Sequence, residues 1–129
     1  MVAPSRRIAR FTSTLVLVCL MLSACAGAAT PAPSWPADAI VVTAKDRQFD
    51  TKELQIKGDS SSTLVLINKD SDPHNIAIRT RSGFDGDVLF RFDPVAASTV
   101  VLPIGTLPKG SWFFLCDVHP AMSGTVFVY

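Results

Sequence analysis

From Asp38 to the C-terminus the chain predicts an all-β domain, an antiparallel Greek-key sandwich of seven to eight strands. Three observations carry that expectation. Helical periodicity is absent, short runs rich in β-branched and aromatic residues take its place, and turn signals divide the runs at near-regular spacing. Short, evenly spaced strands with such punctuation are the pattern of a two-sheet sandwich.

The runs follow in order. Residues 40–44 (IVVTA) and 53–57 (ELQIK) come first, then 63–67 (TLVLI) and 75–79 (NIAIR). Residues 88–92 (VLFRF) and 99–102 (TVVL) are next, and 111–115 (SWFFL) and 124–129 (GTVFVY) close the chain. Gly58-Asp59, Asp85-Gly86, Pro108-Lys109-Gly110 and Ser123-Gly124 supply the breaks. In the third run Thr63, Val65 and Ile67 face one way and Leu64 and Leu66 the other, so both faces are largely apolar, as in a central strand. Within the segment Gly83–Pro94, Gly83-Phe84-Asp85-Gly86-Asp87 reads either as a loop over the site or as a simple hairpin turn. With 48% hydrophobic and 18% charged residues the chain is not disordered, and its 129 residues are about one domain's worth.

The N-terminus is of a different kind. Arg6, Arg7 and Arg10 precede an apolar centre at residues 15–22, which is too short to span a bilayer comfortably and lacks a basic stop-transfer flank. It reads as an export signal. Its end, Leu22-Ser23-Ala24-Cys25, resembles a bacterial lipoprotein cleavage box. That resemblance implies cleavage of residues 1–24, acylation of Cys25, and anchorage to the outer face of the bacterial cell membrane, in the periplasmic or extracytoplasmic space. Residues 25–37, small and Pro-rich, then make a semi-extended tether, and 38–129 form the domain. Removing the signal takes three Arg away and turns the net charge from +1 to about −2. That is neither a nucleic-acid footprint nor a polybasic membrane patch.

Cys19 leaves with the signal, so Cys116 is the one free thiol left to an exported domain. A lone thiol in an oxidising compartment is either buried as a small hydrophobe or held by a metal. The last loop reads Cys116-Asp117-Val118-His119-Pro120-Ala121-Met122, a C-x₂-H-x₂-M pattern, and His74 lies in an earlier turn, Asn68-Lys69-Asp70-Ser71-Asp72-Pro73-His74-Asn75. Both histidines of the chain, the free Cys and a Met thus fall in two interstrand loops. A thiolate, two imidazoles and a weak thioether are the donor set of a type 1 copper ion, one that serves both oxidation states without suiting either alone. Zinc accepts Cys and His, but a structural zinc site has four good ligands and Met is a poor one. A Cys/His nucleophile pair needs an orienting third group and an oxyanion site, and neither is signalled.

From about residue 40 to 129 the sequence resembles the cupredoxins, the small blue copper proteins, most firmly in the His74 turn and from Leu107 to Val126. The two residues between His119 and Met122 are similar to the short ligand loop of amicyanins. The resemblance implies His74, Cys116 and His119 as equatorial ligands and Met122 as axial ligand of one copper. It also implies a supporting role for Asn75, whose N–H faces the ligand sulfur in the family. Asp117 stands where the family often has Ser or Thr, a departure that bears on the loop-to-loop hydrogen bond and on the potential. With both His assigned, none remains for a second, substrate-binding metal, so an enzyme is not expected. The expected function is one-electron transfer between redox partner proteins at the membrane surface by a monomer. Pro120, Ala121 and Phe84 or Pro94 would supply the docking patch. The alternative is copper capture or delivery to other exported cuproproteins.

Overall fold

The computed structural model describes Pro31 and residues 34–129; the signal segment, Cys25 and most of the tether lie outside the described residues. Among the described residues there are nine strands: β1 (Ile40–Lys45), β2 (Gln48–Phe49), β3 (Glu53–Ile56), β4 (Ser62–Asn68), β5 (Ala77–Arg79), β6 (Val88–Phe90), β7 (Ser98–Ile104), β8 (Gly110–Leu115) and β9 (Ser123–Val128). Among the described residues there is no helix. The strands form two sheets, ordered β2-β1-β4-β7 and β3-β9-β8-β5-β6. The sandwich expected from sequence is therefore present, with β4 central in its sheet as its two apolar faces required.

The sheets are mixed. β1 runs parallel to β4, and β3 parallel to β9. The consecutive pairs β1–β2, β5–β6 and β8–β9 are hairpin partners, while the other connections cross from one sheet to the other. A chain that leaves a sheet and returns can come back in either direction without a helical crossover. The short connections that suggest antiparallel pairing in sequence therefore do not impose it everywhere.

β2 escaped the sequence reading because its turn carries no glycine signal. Asp46 and Arg47, the two central residues of that turn, have φ of 53° and 56°. A two-residue hairpin turn with both φ positive normally recruits Asn or Gly. Ser123-Gly124, expected as a turn, instead opens β9. A Cβ on Gly124 would lie 2.4 Å from the Lys52 carbonyl oxygen and 2.5 Å from Cε1 of Phe114. Glycine here permits a close approach of backbone and ring rather than a reversal.

The core lies between the sheets, with Phe114 at its centre against Phe49 (ring centroids 5.5 Å apart) and Leu64, Leu66, Ile78 and Val126 fully buried. Cys116 and Met122 belong to the same buried cluster. The β4–β5 and β8–β9 loops leave the core side by side at one end, and the site is there.

Candidate metal centre

His74 is completely buried and is held on three sides. Its backbone forms a bridge with Val95, N–H to O at 3.0 Å and O to N–H at 2.9 Å. Asn68 organises the turn before it: Oδ1 accepts the Asp70 N–H at 2.9 Å, and Nδ2 donates to the carbonyls of Asp72 (2.8 Å) and Val95 (2.7 Å). An Asn bonding the N–H two residues on is an Asx turn, which tightens the chain without regular structure. The ring Nε2 then lies 2.9 Å from Asp70 Oδ2. With Nε2–H donating to that carboxylate, Nδ1 presents its lone pair to the interior, the arrangement that fixes the tautomer of a metal-ligating His.

Asp70 is itself anchored from the β1–β2 turn, accepting the N–H of Asp46 at 2.8 Å and of Arg47 at 2.9 Å. The Arg47 N–H bond first, then those from Asp46 and His74, hold its carboxyl below the ordinary aspartate range against the opposing pull of burial. The left-handed turn and the orientation of the His74 ring thus share one carboxylate.

The second loop closes on itself. The Cys116 N–H donates to the Met122 carbonyl at 2.9 Å, and the Met122 N–H to the His119 carbonyl at 2.8 Å. These bonds set the three side chains of C-x₂-H-x₂-M on one small arch. Cys116 is fully buried and Met122 1% exposed, whereas the His119 side chain keeps 23% of its surface. The His74 and His119 Nδ1 atoms stand 3.2 Å apart, and Cys116 Sγ is 3.7 Å from His74 Nδ1. One ligand atom from each of the three residues falls within 4.8 Å of the others. Donors bonded to one first-row ion at about 2.0–2.3 Å stand about 3–4 Å from each other, so the set fits a single metal ion. Two imidazole nitrogens and a sulfur facing one another in an apolar corner match a soft or borderline ion.

Behind these side chains the two loops are tied together by Asn75 and Asp117. Asn75, fully buried, donates from Nδ2 to the Phe92 carbonyl and to Asp117 Oδ2, both at 2.7 Å, and accepts the Asp117 N–H on Oδ1 at 2.8 Å. The departure from Ser or Thr at position 117 therefore keeps the loop-to-loop link, made here through a carboxylate. Partial burial pushes the Asp117 carboxyl up, but hydrogen bonds from Asn75, Arg91 and Arg79 and the Arg91 charge hold it below the usual range.

A family model, described as a cupredoxin-like domain, matches residues 13–128. The chain belongs to the cupredoxin-like family. This cupredoxin is 32% identical over 93 residues to an amicyanin of Paracoccus versutus, covering 72% of its own length and 67% of the relative's. It is 27% identical over 118 residues to amicyanin-alpha of Methylorubrum extorquens, covering 92% and 95%. Among solved structures, dithionite-reduced auracyanin from Roseiflexus castenholzii superposes with a TM-score of 0.60 at 16% identity, over 72% of this chain and 98% of that one. Auracyanin A from Chloroflexus aurantiacus, described as a blue copper protein, gives 0.59 at 14% identity, over 70% and 98%. At these identities the structures speak for the fold alone.

The structure brings His74, Cys116 and His119 together and seats Met122 in the same arch. The roles of Asp70, Arg79 and Arg91 were not assigned from sequence. Asp70 had a local signal, a carboxylate four residues before a His in an Asn-led turn. The two arginines had none, because only the pairing of β5, β6 and β8 brings them near the Cys116 loop.

Proposed function

We propose that this cupredoxin is an exported, membrane-tethered carrier of single electrons, in which His74, Cys116 and His119 would hold one type 1 copper and Met122 would add a weak thioether contact. The convergence of the three ligand atoms within 4.8 Å of one another is the observation that carries this reading. Copper in such a set supplies a reversible one-electron couple, because thiolate and thioether favour Cu(I) while imidazole binds both states.

The chain's own residues make the couple usable. Asp70 and the Val95 bridge hold His74, and the hydrogen bonds within the arch hold Cys116 and Met122, so the ligands have little freedom to follow a change of charge. Partly exposed His119 is the route for the electron to the surface. Around it Val118 (45% exposed) and the exposed Pro120 and Ala121 offer a small apolar rim, with Phe84 (51% exposed) on a neighbouring loop. Small apolar rims suit weak, quickly reversed encounters with redox partner proteins. A tether at 25–37 on an acylated Cys25, after loss of 1–24, raises the local concentration of a monomeric carrier beside membrane-bound partners. With both histidines committed to one ion, no enzymatic second metal site is proposed.

Copper-loaded protein is expected to show a strong visible sulfur-to-copper absorption, a type 1 EPR signal, and reversible exchange with small redox mediators. Stoichiometric copper without electron exchange would overturn the carrier reading, and ready loss of the metal to a Cu(I) chelator would mark copper delivery instead. Cys25→Ala is expected to release the protein from the membrane fraction; unchanged membrane association would remove the lipid anchor.

A further inference from the structure

Asp117 follows the ligand Cys116 directly, and its side chain is only 14% exposed. A carboxylate so placed adds negative charge beside a thiolate, which is unfavourable unless opposed. Two guanidiniums oppose it. Arg91 Nε donates to Oδ2 at 2.7 Å, and Arg79 Nη2 to Oδ1 at 3.3 Å. We propose that Arg79 and Arg91 act with Asp117 as a positioning clamp, holding the Cys116 loop against the His74 loop and setting the charge beside the ligand sulfur. The inference rests on the copper reading above.

The surroundings of Arg79 are those of a fixed part. Its side chain is 11% exposed and lies with Cζ 5.3 Å from the Phe84 ring centroid. Nη1 donates to the carbonyls of Phe84 (3.4 Å) and Gly86 (3.3 Å), so the same guanidinium ties the β5–β6 loop to the ligand arch. Its Nε is buried without a hydrogen-bond partner, a cost that the other contacts of the group must outweigh. Where Ile78 faces Phe90, Arg79 faces Val88, a one-residue register shift against β6. Such irregularities re-aim side chains beside functional sites. Arg91, 45% exposed, is also 3.7 Å from the exposed Asp93. Asp117 is the acceptor on which Asn75, Arg79 and Arg91 meet, and its own N–H returns to Asn75.

The charges have a sign consequence. The oxidised ion carries one positive charge more than the reduced ion, so a nearby positive group raises the reduction potential and a negative one lowers it. The test uses copper-loaded Arg91→Gln, Asp117→Asn and the double variant, read by potentiometry and by the visible band. Arg91→Gln is expected to lower the potential and Asp117→Asn to raise it, with the double variant between them and Arg91→Lys close to the wild type. In metal-free protein the losses in Tm of the two single variants should not add, since they break the same bond. A purely structural clamp would lower Tm in both and leave the potentials together. Potentials that do not separate, or Tm losses that simply add, in a wild type that shows the blue band would overturn the proposal. A wild type without that band would overturn the copper reading, while the Tm cycle would still report on the clamp.

Discussion

Replacing Asn75 by Ala removes the buried amide through which the His74 loop bonds the Cys116 loop. Three hydrogen bonds go with it: Nδ2 to the Phe92 carbonyl and to Asp117 Oδ2, both 2.7 Å, and the Asp117 N–H to Oδ1 at 2.8 Å. Neutral bonds contribute about 0.5–1.5 kcal/mol each and one to a charged group about 1.5–3, for a gross loss of roughly 2.5–6 kcal/mol. Asn75 is fully buried, so water does not readily replace it, but Arg79 and Arg91 still serve the Asp117 carboxylate. A loss of about 3 kcal/mol is therefore expected. For a domain of this size each kcal/mol moves Tm by about 4–8 °C, so metal-free Asn75→Ala should melt roughly 12–24 °C below the wild type. Asn75→Asp sharpens the test. It keeps the shape and the acceptor for the Asp117 N–H, but loses both donated bonds and sets a second carboxylate against the first, so it should cost at least as much. Thermal unfolding followed by circular dichroism reads both variants. A melt of Asn75→Ala within about 4 °C of the wild type would refute the view that this amide holds the loops together.

Four further outcomes follow from the same geometry. Cys116→Ser should abolish the visible absorption of copper-loaded protein while the sandwich stays folded, at a cost of about 1–3 kcal/mol for a hydroxyl in an apolar corner, as checked by spectrum and melt together. Met122→Leu should keep the colour and raise the reduction potential; a fall would contradict an axial thioether. Gly124→Ala would drive a methyl group into the Lys52 carbonyl oxygen, 2.4 Å away, and into Phe114, costing about 1–3 kcal/mol in a urea titration, because backbone cannot move aside as a flexible side chain can. Asp70 and Asp117 titrate below the ordinary value when folded, so the unfolded chain binds more protons near pH 4. Their stabilisation is complete above about pH 5 and is lost as pH falls through the folded values, and Asp117→Asn should make the acid limb of the urea-midpoint curve shallower.

Much of the site is legible along the chain because its pieces are local. C-x₂-H-x₂-M places three donors on one seven-residue arch, and its closing bonds run between Cys116, His119 and Met122 themselves. His74 belongs to a turn in which the Asn68 side chain bonds both Asp70 and Asp72, all within five residues. Alternation likewise marks the strands, since side-chain direction depends only on the next residue along. The β1–β2 turn was missed for a related reason. Asp46 and Arg47 are held in left-handed backbone by Asp70, 24 and 23 residues away, and although Asp tolerates that conformation, Arg47 gives no sign of it.

What the residues determine alone is the chemistry available: short strands with a defined inside, and two imidazoles, a thiol and a thioether carried on their connecting loops. Tertiary structure decides which of these meet. The parallel pairings, the seat of Phe114 against Gly124, and the meeting of Asp117 with arginines 26 and 38 residues away depend on strand order and register. The physical reason is range. Turn and strand preferences act over a few bonds of the chain, whereas hydrogen bonds and charges act across a few ångströms of space, and only the packing of two sheets converts one distance into the other.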